Sequence, residues 1–289
     1  MNAFPATAGV VGGGRMGAGI AQVLLTAGAQ VTIVESSPEA AGAARGRVAS
    51  GLAKAGRRGV LDGVPDDHLS RLATVTAVSG LDPESALVVE AVPEQVDLKA
   101  DVLSAVERVV RPETVLATNT SSLPITELAA ALERPGQFLG MHFFNPVPAS
   151  ALVELVVSAQ TRTDVLDTAR GWIRGIGKTE VVVRDSPGFA TSRLGVLLGL
   201  EAIRMLEEGV AEAADIDTAM ELGYRHPAGP LKSTDLVGLD VRLAVAEHLS
   251  QRLGERFTPP DLLRRMVAEG KLGRKTGQGF YAWPPHDTV

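Results

Sequence analysis

His142 and Glu154 are the residues of this chain whose types and surroundings point to acid–base chemistry. Glu154 stands inside Ala151-Leu152-Val153-Glu154-Leu155-Val156-Val157, which reads as a strand with one carboxylate among aliphatic side chains. Such a carboxylate is costly to bury unless it is paired or protonated. His142 follows the strand expected over Phe138 to Met141 and opens the run His142-Phe143-Phe144-Asn145-Pro146. It is one loop away and is the nearest partner in sequence. The acid would orient the imidazole and stabilise its charged form, and the imidazole would satisfy the acid. A histidine held in that way is what a general base requires.

A second constellation lies near the N-terminus. Gly12, Gly14 and Gly17 fall on the spacing G-x-G-x-x-G, between a short apolar strand ending at Val11 and a helix from about Arg15 to Ala27. Gly12 suits a tight strand-to-helix turn, Gly14 leaves room for a pyrophosphate against the backbone, and Gly17 lets the helix pack closely on the strand. Met16 sits in the first helical turn, whose free N–H groups and dipole favour phosphate. Glu35 ends the second strand, Val31 to Val34, 23 residues after Gly12. A carboxylate there accepts a ribose 2′-hydroxyl and repels a 2′-phosphate, so the expected cofactor is NAD rather than NADP.

Both constellations need a scaffold of alternating strands and helices. A helix is expected over Pro38 to Gly56, carrying Arg45, Arg47 and Lys54, followed by a turn-rich connection from Arg57 to Asp67. Those bases read either as a solvated face or as contacts to a phosphorylated ligand. Strands follow at Ala73–Thr76, Ala86–Glu90 and Val115–Thr118, with an amphipathic helix between Gln95 and Val110. This alternation predicts an α/β fold with a mostly parallel, helix-covered sheet of the Rossmann type, and ligands at the carboxyl ends of its strands. Asn119-Thr120-Ser121-Ser122 lies at one such end. Its serines either cap a helix running to Leu132 or contact a ligand. A helix from Thr163 to Ile176 and a strand from Glu180 to Arg184 complete the first domain, residues 1–185. Residues 186–289 form a smaller all-helical domain with helices at Phe189–Glu208, Glu212–Leu222, Asp240–Leu253 and Pro259–Glu269, joined by structured loops such as Tyr224–Pro230. Their apolar faces exceed what a small bundle hides, which suggests a homodimer. His68, His226, His248 and His286 have no comparable company and read as structural or exposed.

Composition narrows the classes. Hydrophobic residues make up 45% and charged residues 21% of the 289, the net charge is −6, and there is no cysteine. Disulfides, thiolate metal sites and a cysteine nucleophile are excluded, and no metal is expected. No like-charge block suggests nucleic acid. No apolar run reaches the ~20 residues of a membrane span. Met1 to Thr7 carries no basic residue, unlike a secretory or transit peptide, and a cytoplasmic protein is expected.

These motifs resemble the NAD-dependent 3-hydroxyacyl-CoA dehydrogenases, closest to the single-function 3-hydroxybutyryl-CoA type. The likeness is carried by the glycine fingerprint with Glu35, Glu90-Ala91-Val92-Pro93-Glu94, Asn119–Ser122, His142–Pro146, Leu152-Val153-Glu154, Pro187-Gly188-Phe189 and Gly273-Arg274-Lys275-Thr276-Gly277. It implies that His142 is the base, Glu154 its orienting carboxylate and Ser121 a contact to the substrate 3-oxygen. It implies that Glu94, Lys99, Asn119 and Asn145 lie on the cofactor side of the cleft, and that the substrate is an acyl-CoA. One position departs from the family pattern: Ser192 stands where an asparagine usually helps bind the reacting acyl group. A dehydrogenase of a 3-hydroxy acid without CoA, and a non-catalytic NADH-binding protein on the same fold, remain alternatives at this level.

Overall fold

In the computed structural model, which describes residues 4–284, the chain divides into two units, the first ending at Ser186 and the second beginning at Pro187. His286 lies outside the described residues.

The first unit is built around an eight-stranded sheet. In chain order it comprises β1 (Thr7–Val11), α1 (Arg15–Thr26), β2 (Gln30–Val34), α2 (Pro38–Arg57), α3 (Pro65–Leu69), β3 (Leu72–Val75), β4 (Leu87–Glu90), α4 (Val96–Val109), β5 (Val115–Thr118), α5 (Ile125–Ala129), β6 (Phe138–Phe143), β7 (Leu152–Val157), α6 (Thr163–Gly175) and β8 (Thr179–Arg184). The strand order is β3-β2-β1-β4-β5-β6-β7-β8. Every pairing is parallel except β6 with β7. The order reverses between β1 and β4, so their carboxyl ends open a crevice where open α/β sheets bind ligands. Strands β4, β5 and β6 are buried along their whole length, as a sheet covered by helices on both faces demands. Ile20, Leu25, Ile33, Leu52 and Leu87 are sealed in one core under α1 and α2.

The second unit is helical: α7 (Thr191–Glu207), α8 (Ala213–Gly223), α9 (Pro230–Val237), α10 (Leu239–Leu253) and α11 (Asp261–Ala268). Its own core gathers Leu200, Ile203, Leu231, Leu239, Leu249, Phe257 and Leu263.

Four elements differ from the sequence reading. The connection before β3 holds α3, opened by Pro65 with Asp66 and Asp67 in its first turn, an arrangement that suits a helix N-terminus. The stretch read as running loop into Pro230 continues into the helix α9. The N–H groups of Leu231 and Lys232 in its first turn are taken by Asp217 from α8, a cap supplied from 14 and 15 residues away. The serines of Asn119–Ser122 do not cap α5. Its N-cap is Pro124, and Asp185 accepts both the N–H and the hydroxyl of Thr126. Strand β6 runs through His142 to Phe143, so His142 lies on the sheet and not in the loop that follows it.

Candidate active site

At the tip of β1, Gly12 has φ +93°, and a side chain there would approach the Ala91 carbonyl oxygen to 2.8 Å. A Cβ on Gly17 would overlap the carbonyl of Gly12, so this glycine sets how closely α1 packs on β1. Gly14 is the opposite case, with nothing within 4 Å of where its Cβ would be. The packing of the protein leaves Gly14 free to be any residue, and the open space is what an approaching pyrophosphate needs. Helix α1 has no side-chain cap, whereas α2 is capped by the Ser37 hydroxyl on the Ala40 N–H. The first N–H groups of α1 are thereby left as donors. Glu35 Oε1 accepts the Gly13 N–H at 2.6 Å, tying the acid to the turn. A cavity of about 770 Å³ covers this region, lined among others by Gly12, Gly14, Met16, Glu35, Val78 and Pro93. Donors for phosphates, apolar walls for adenine and a carboxylate for ribose hydroxyls are the set that NAD requires.

The second constellation stands at the other side of the sheet. In the antiparallel β6–β7 pair, His142 lies directly across from Glu154. His142 Nδ1 donates to Glu154 Oε2 at 2.8 Å. Glu154 is fully buried and His142 nearly so, and the Phe144 ring lies 4.4 Å from the imidazole. With Nδ1 bearing its proton toward the carboxylate, Nε2 is the basic nitrogen of the ring. Directly opposed residues on antiparallel strands are close neighbours, so the pairing follows from strand register alone.

Between these two sites lies a polar network that sequence reasoning did not foresee. Glu90, the last residue of β4, is wholly buried. It accepts from Lys99 Nζ at 2.7 Å, from the Val92 N–H at 2.6 Å and from the Thr118 hydroxyl at 2.6 Å. Lys99 Nζ also lies 3.4 Å from Glu94 Oε2. Glu94 Oε1 in turn accepts the Thr120 hydroxyl at 2.6 Å and the Ser121 N–H at 2.8 Å. Lys99, itself held by the buried Glu90, thus steadies the carboxylate that shapes the loop carrying Ser121, an exposed residue. Asn119 Oδ1 accepts the Phe143 N–H at 2.9 Å and braces the strand next to His142. Lys99, expected on the cofactor side of the cleft, has a side chain only 1% exposed with its ammonium bonded to Glu90, and it does not border the cavity over the fingerprint. Glu94, Asn119 and Asn145 likewise do not border the cavity over the fingerprint. A signal for Glu90 was present, since it is a carboxylate closing an apolar strand, as Glu154 is a carboxylate within one.

Asn145 borders a different cavity, of about 650 Å³, whose walls include Arg15, Arg47, Ser50, Lys54 and Pro148. Two bases from the face of α2 thus line a cavity, although Arg47 also donates to the Gly13 carbonyl at 3.0 Å. Arg45 is engaged elsewhere, on the Leu72 carbonyl. Lys178 braces the loop after β6 by donating to the Val147 and Ser150 carbonyls, and burial lowers its pKa. His68 is structural, bonded to the Leu25 and Asp62 carbonyls. Ser192 lies in the first turns of α7, half-buried, in the second unit.

Comparison with known proteins follows this geometry. Residues 7–186 match the family profile described as 3-hydroxyacyl-CoA dehydrogenase, NAD binding domain. Residues 188–283 match the corresponding C-terminal domain. The chain is 42% identical over 276 residues to a probable 3-hydroxybutyryl-CoA dehydrogenase of Deinococcus radiodurans, covering 95% of this chain and 99% of that protein. It is 41% identical to a 3-hydroxybutyryl-CoA dehydrogenase of Mycobacterium tuberculosis, covering 95% and 97%. The crystal structure of (S)-3-hydroxybutyryl-CoA dehydrogenase PaaH1 from Ralstonia eutropha superposes with a TM-score of 0.92 at 39% identity, covering 97% and 99%. With a Rossmann-type sheet, an NAD fingerprint and matches over nearly its whole length, the chain belongs to the family of NAD-dependent 3-hydroxyacyl-CoA dehydrogenases.

Proposed function

We propose that the protein interconverts (S)-3-hydroxyacyl-CoA and 3-oxoacyl-CoA, with a short acyl chain such as 3-hydroxybutyryl, using NAD. The observation that carries this reading is the buried hydrogen bond of 2.8 Å between His142 Nδ1 and Glu154 Oε2. NAD, when bound, supplies the hydride acceptor. An alcohol gives up a hydride readily only as its proton leaves. His142 Nε2 takes that proton from the 3-hydroxyl. Glu154, already hydrogen-bonded at Nδ1, stabilises the imidazolium that forms. In the reverse direction His142 returns the proton to the 3-oxygen. Ser121 holds the 3-oxygen from a loop that Glu94 keeps in shape. Ser192 donates to the acyl group in place of the family's asparagine. The cavity bordered by Arg15, Arg47 and Lys54 suits the phosphates of CoA, in keeping with its cationic wall.

The same reading includes a homodimer formed through the helical unit, supported by the exposed Leu222, Tyr224 and Val237 on its surface. It also includes a cytoplasmic location, where acyl-CoA and NAD pools coexist; no described helix is long and apolar enough to cross a membrane.

The test is oxidation of NADH by the purified protein with acetoacetyl-CoA, followed by absorbance. Turnover is expected with acetoacetyl-CoA and not with free acetoacetate. NADPH is expected to be much poorer, because its 2′-phosphate would meet Glu35. Turnover of free acetoacetate alone would favour a dehydrogenase acting without CoA. NADH binding without turnover of either would identify a non-catalytic binder.

A further inference from the structure

Arg15 is the first residue of α1, and it is exposed. Among the described residues its guanidinium takes part in no hydrogen bond and no ion pair. The N-terminus of a helix carries partial positive charge, so an acid is favourable in the first turn and a cation is not. The other long helices of the first unit follow this rule, with Glu39 in α2, Asp97 in α4 and Asp164 in α6. Helix α1 breaks it: its first turn holds no acid and begins with an arginine. Dipole, uncapped N–H groups and guanidinium thus gather positive charge at one helix end.

The cavity over the fingerprint shows what that charge faces. Among its lining residues only Arg15 and Glu35 are ionisable. Glu35 is turned to the backbone, accepting the Gly13 N–H at 2.6 Å and the Ser36 N–H at 3.3 Å. A dinucleotide brings two negative charges to this cavity on its pyrophosphate. Without Arg15, the one ionised side chain in the wall would be a carboxylate that repels it. Gly14, next in the chain, has nothing within 4 Å of where its Cβ would stand, so no side chain separates the guanidinium from a phosphate at the turn. A planar guanidinium is well matched to phosphate oxygens. Arg15 also borders the cavity along α2, but Arg47 and Lys54 already bring positive charge there.

We propose that Arg15 binds the pyrophosphate of the dinucleotide, adding a charged side chain to a phosphate site otherwise made of backbone N–H groups. This rests on the reading of the fingerprint as the NAD site and is independent of the substrate assigned to His142 and Glu154.

The experiment measures dissociation constants by titration calorimetry on the purified wild-type protein, Arg15→Leu and Arg15→Lys. The probes are NADH, ADP-ribose and free CoA, with adenosine read by its displacement of NADH. NADH and ADP-ribose carry the pyrophosphate, and adenosine keeps only the base and its ribose. In Arg15→Leu the Kd of NADH and of ADP-ribose should rise about tenfold, the low end for a charged hydrogen bond because the side chain is exposed. The Kd of adenosine should stay within about twofold, which also shows that the site is folded. Arg15→Lys keeps the charge without the fork and should fall between. Added salt should weaken NADH binding less in Arg15→Leu than in the wild type, since one screened charge has been removed. Unchanged Kd values for NADH and ADP-ribose in Arg15→Leu overturn the assignment. A rise for free CoA with NADH unchanged overturns it too, and gives the guanidinium to the cavity along α2. An equal rise for adenosine overturns it by placing the loss at the nucleoside or in the fold. A wild-type protein that binds neither NADH nor ADP-ribose overturns the cofactor reading together with this one.

Discussion

A carboxylate in an aliphatic strand and a histidine at the end of another are each an awkward residue alone, and each resolves the other. Glu154 has a partner for its charge, and His142 has its tautomer fixed by the bond at Nδ1. General-base catalysis is typically worth ~10²–10⁴-fold. His142→Gln should therefore lower kcat by about that factor while NADH binding, measured by fluorescence, survives. Glu154→Gln should also lower kcat, because an amide does not stabilise an imidazolium. The double variant should be far less damaging than the product of the singles, since the two act as a unit. Multiplicative effects in that cycle on kcat would end the proposed mechanism. The pair was legible in the sequence because both residues violate their surroundings. Glu90 and Lys99 violate theirs in the same way, at the end of β4 and on the buried face of α4, but their link crosses from strand to helix and no single pattern marks it. Lys99→Met should unpair a buried carboxylate at roughly 3–5 kcal/mol, seen as a drop in Tm of about 10 °C. Adding Glu90→Gln to it should recover part of the loss.

At the scale of elements, the strand-to-helix turn separates two jobs that its glycines share in sequence. Gly17→Ala should destabilise the fold, toward the top of the ~1–3 kcal/mol typical of overpacking, because the new methyl meets the rigid Gly12 carbonyl. Gly14→Ala meets nothing in the protein, so its Tm should stay near wild type while the Kd for NADH rises. A matched fall in Tm for both variants would show that Gly14 serves packing rather than the cofactor. The strands and long helices were legible because their burial follows period: β4, β5 and β6 are mostly apolar and buried throughout, and α4 buries Leu103 and Val106 on one face. Helix α9 was not, and the start of α5 was placed too early, because their N-termini are satisfied from a distance, by Asp217 and Asp185. A cap that lies far away in the chain leaves no local signature, and prolines beside it then read as loop.

For the molecule as a whole, the expected mass in solution is that of a dimer. Light scattering should give about twice the chain mass of 30.2 kDa, and charges placed at Leu222 and Tyr224, which are 78% and 76% exposed, should shift it toward the monomer if those side chains meet a second copy. A monomer at micromolar concentration would remove the dimer from the reading. The two units were legible as a change of pattern at Asp185-Ser186-Pro187-Gly188, where alternation of strand and helix stops. The antiparallel pairing of β6 and β7 carries one more consequence. The hydrogen-bonded couple of His142 and Glu154 is written into the ladder between two strands, while the loop that joins them, residues 144–151, contributes Asn145 and Pro148 to the wall of a separate cavity. A sheet zipped on both sides keeps its register whatever the loop's side chains are, provided its length is kept. Descendants of such a chain can therefore exchange what they recognise by rewriting a few loop residues and inherit the chemistry unchanged, so that diversification of substrate costs this architecture no reinvention of its base.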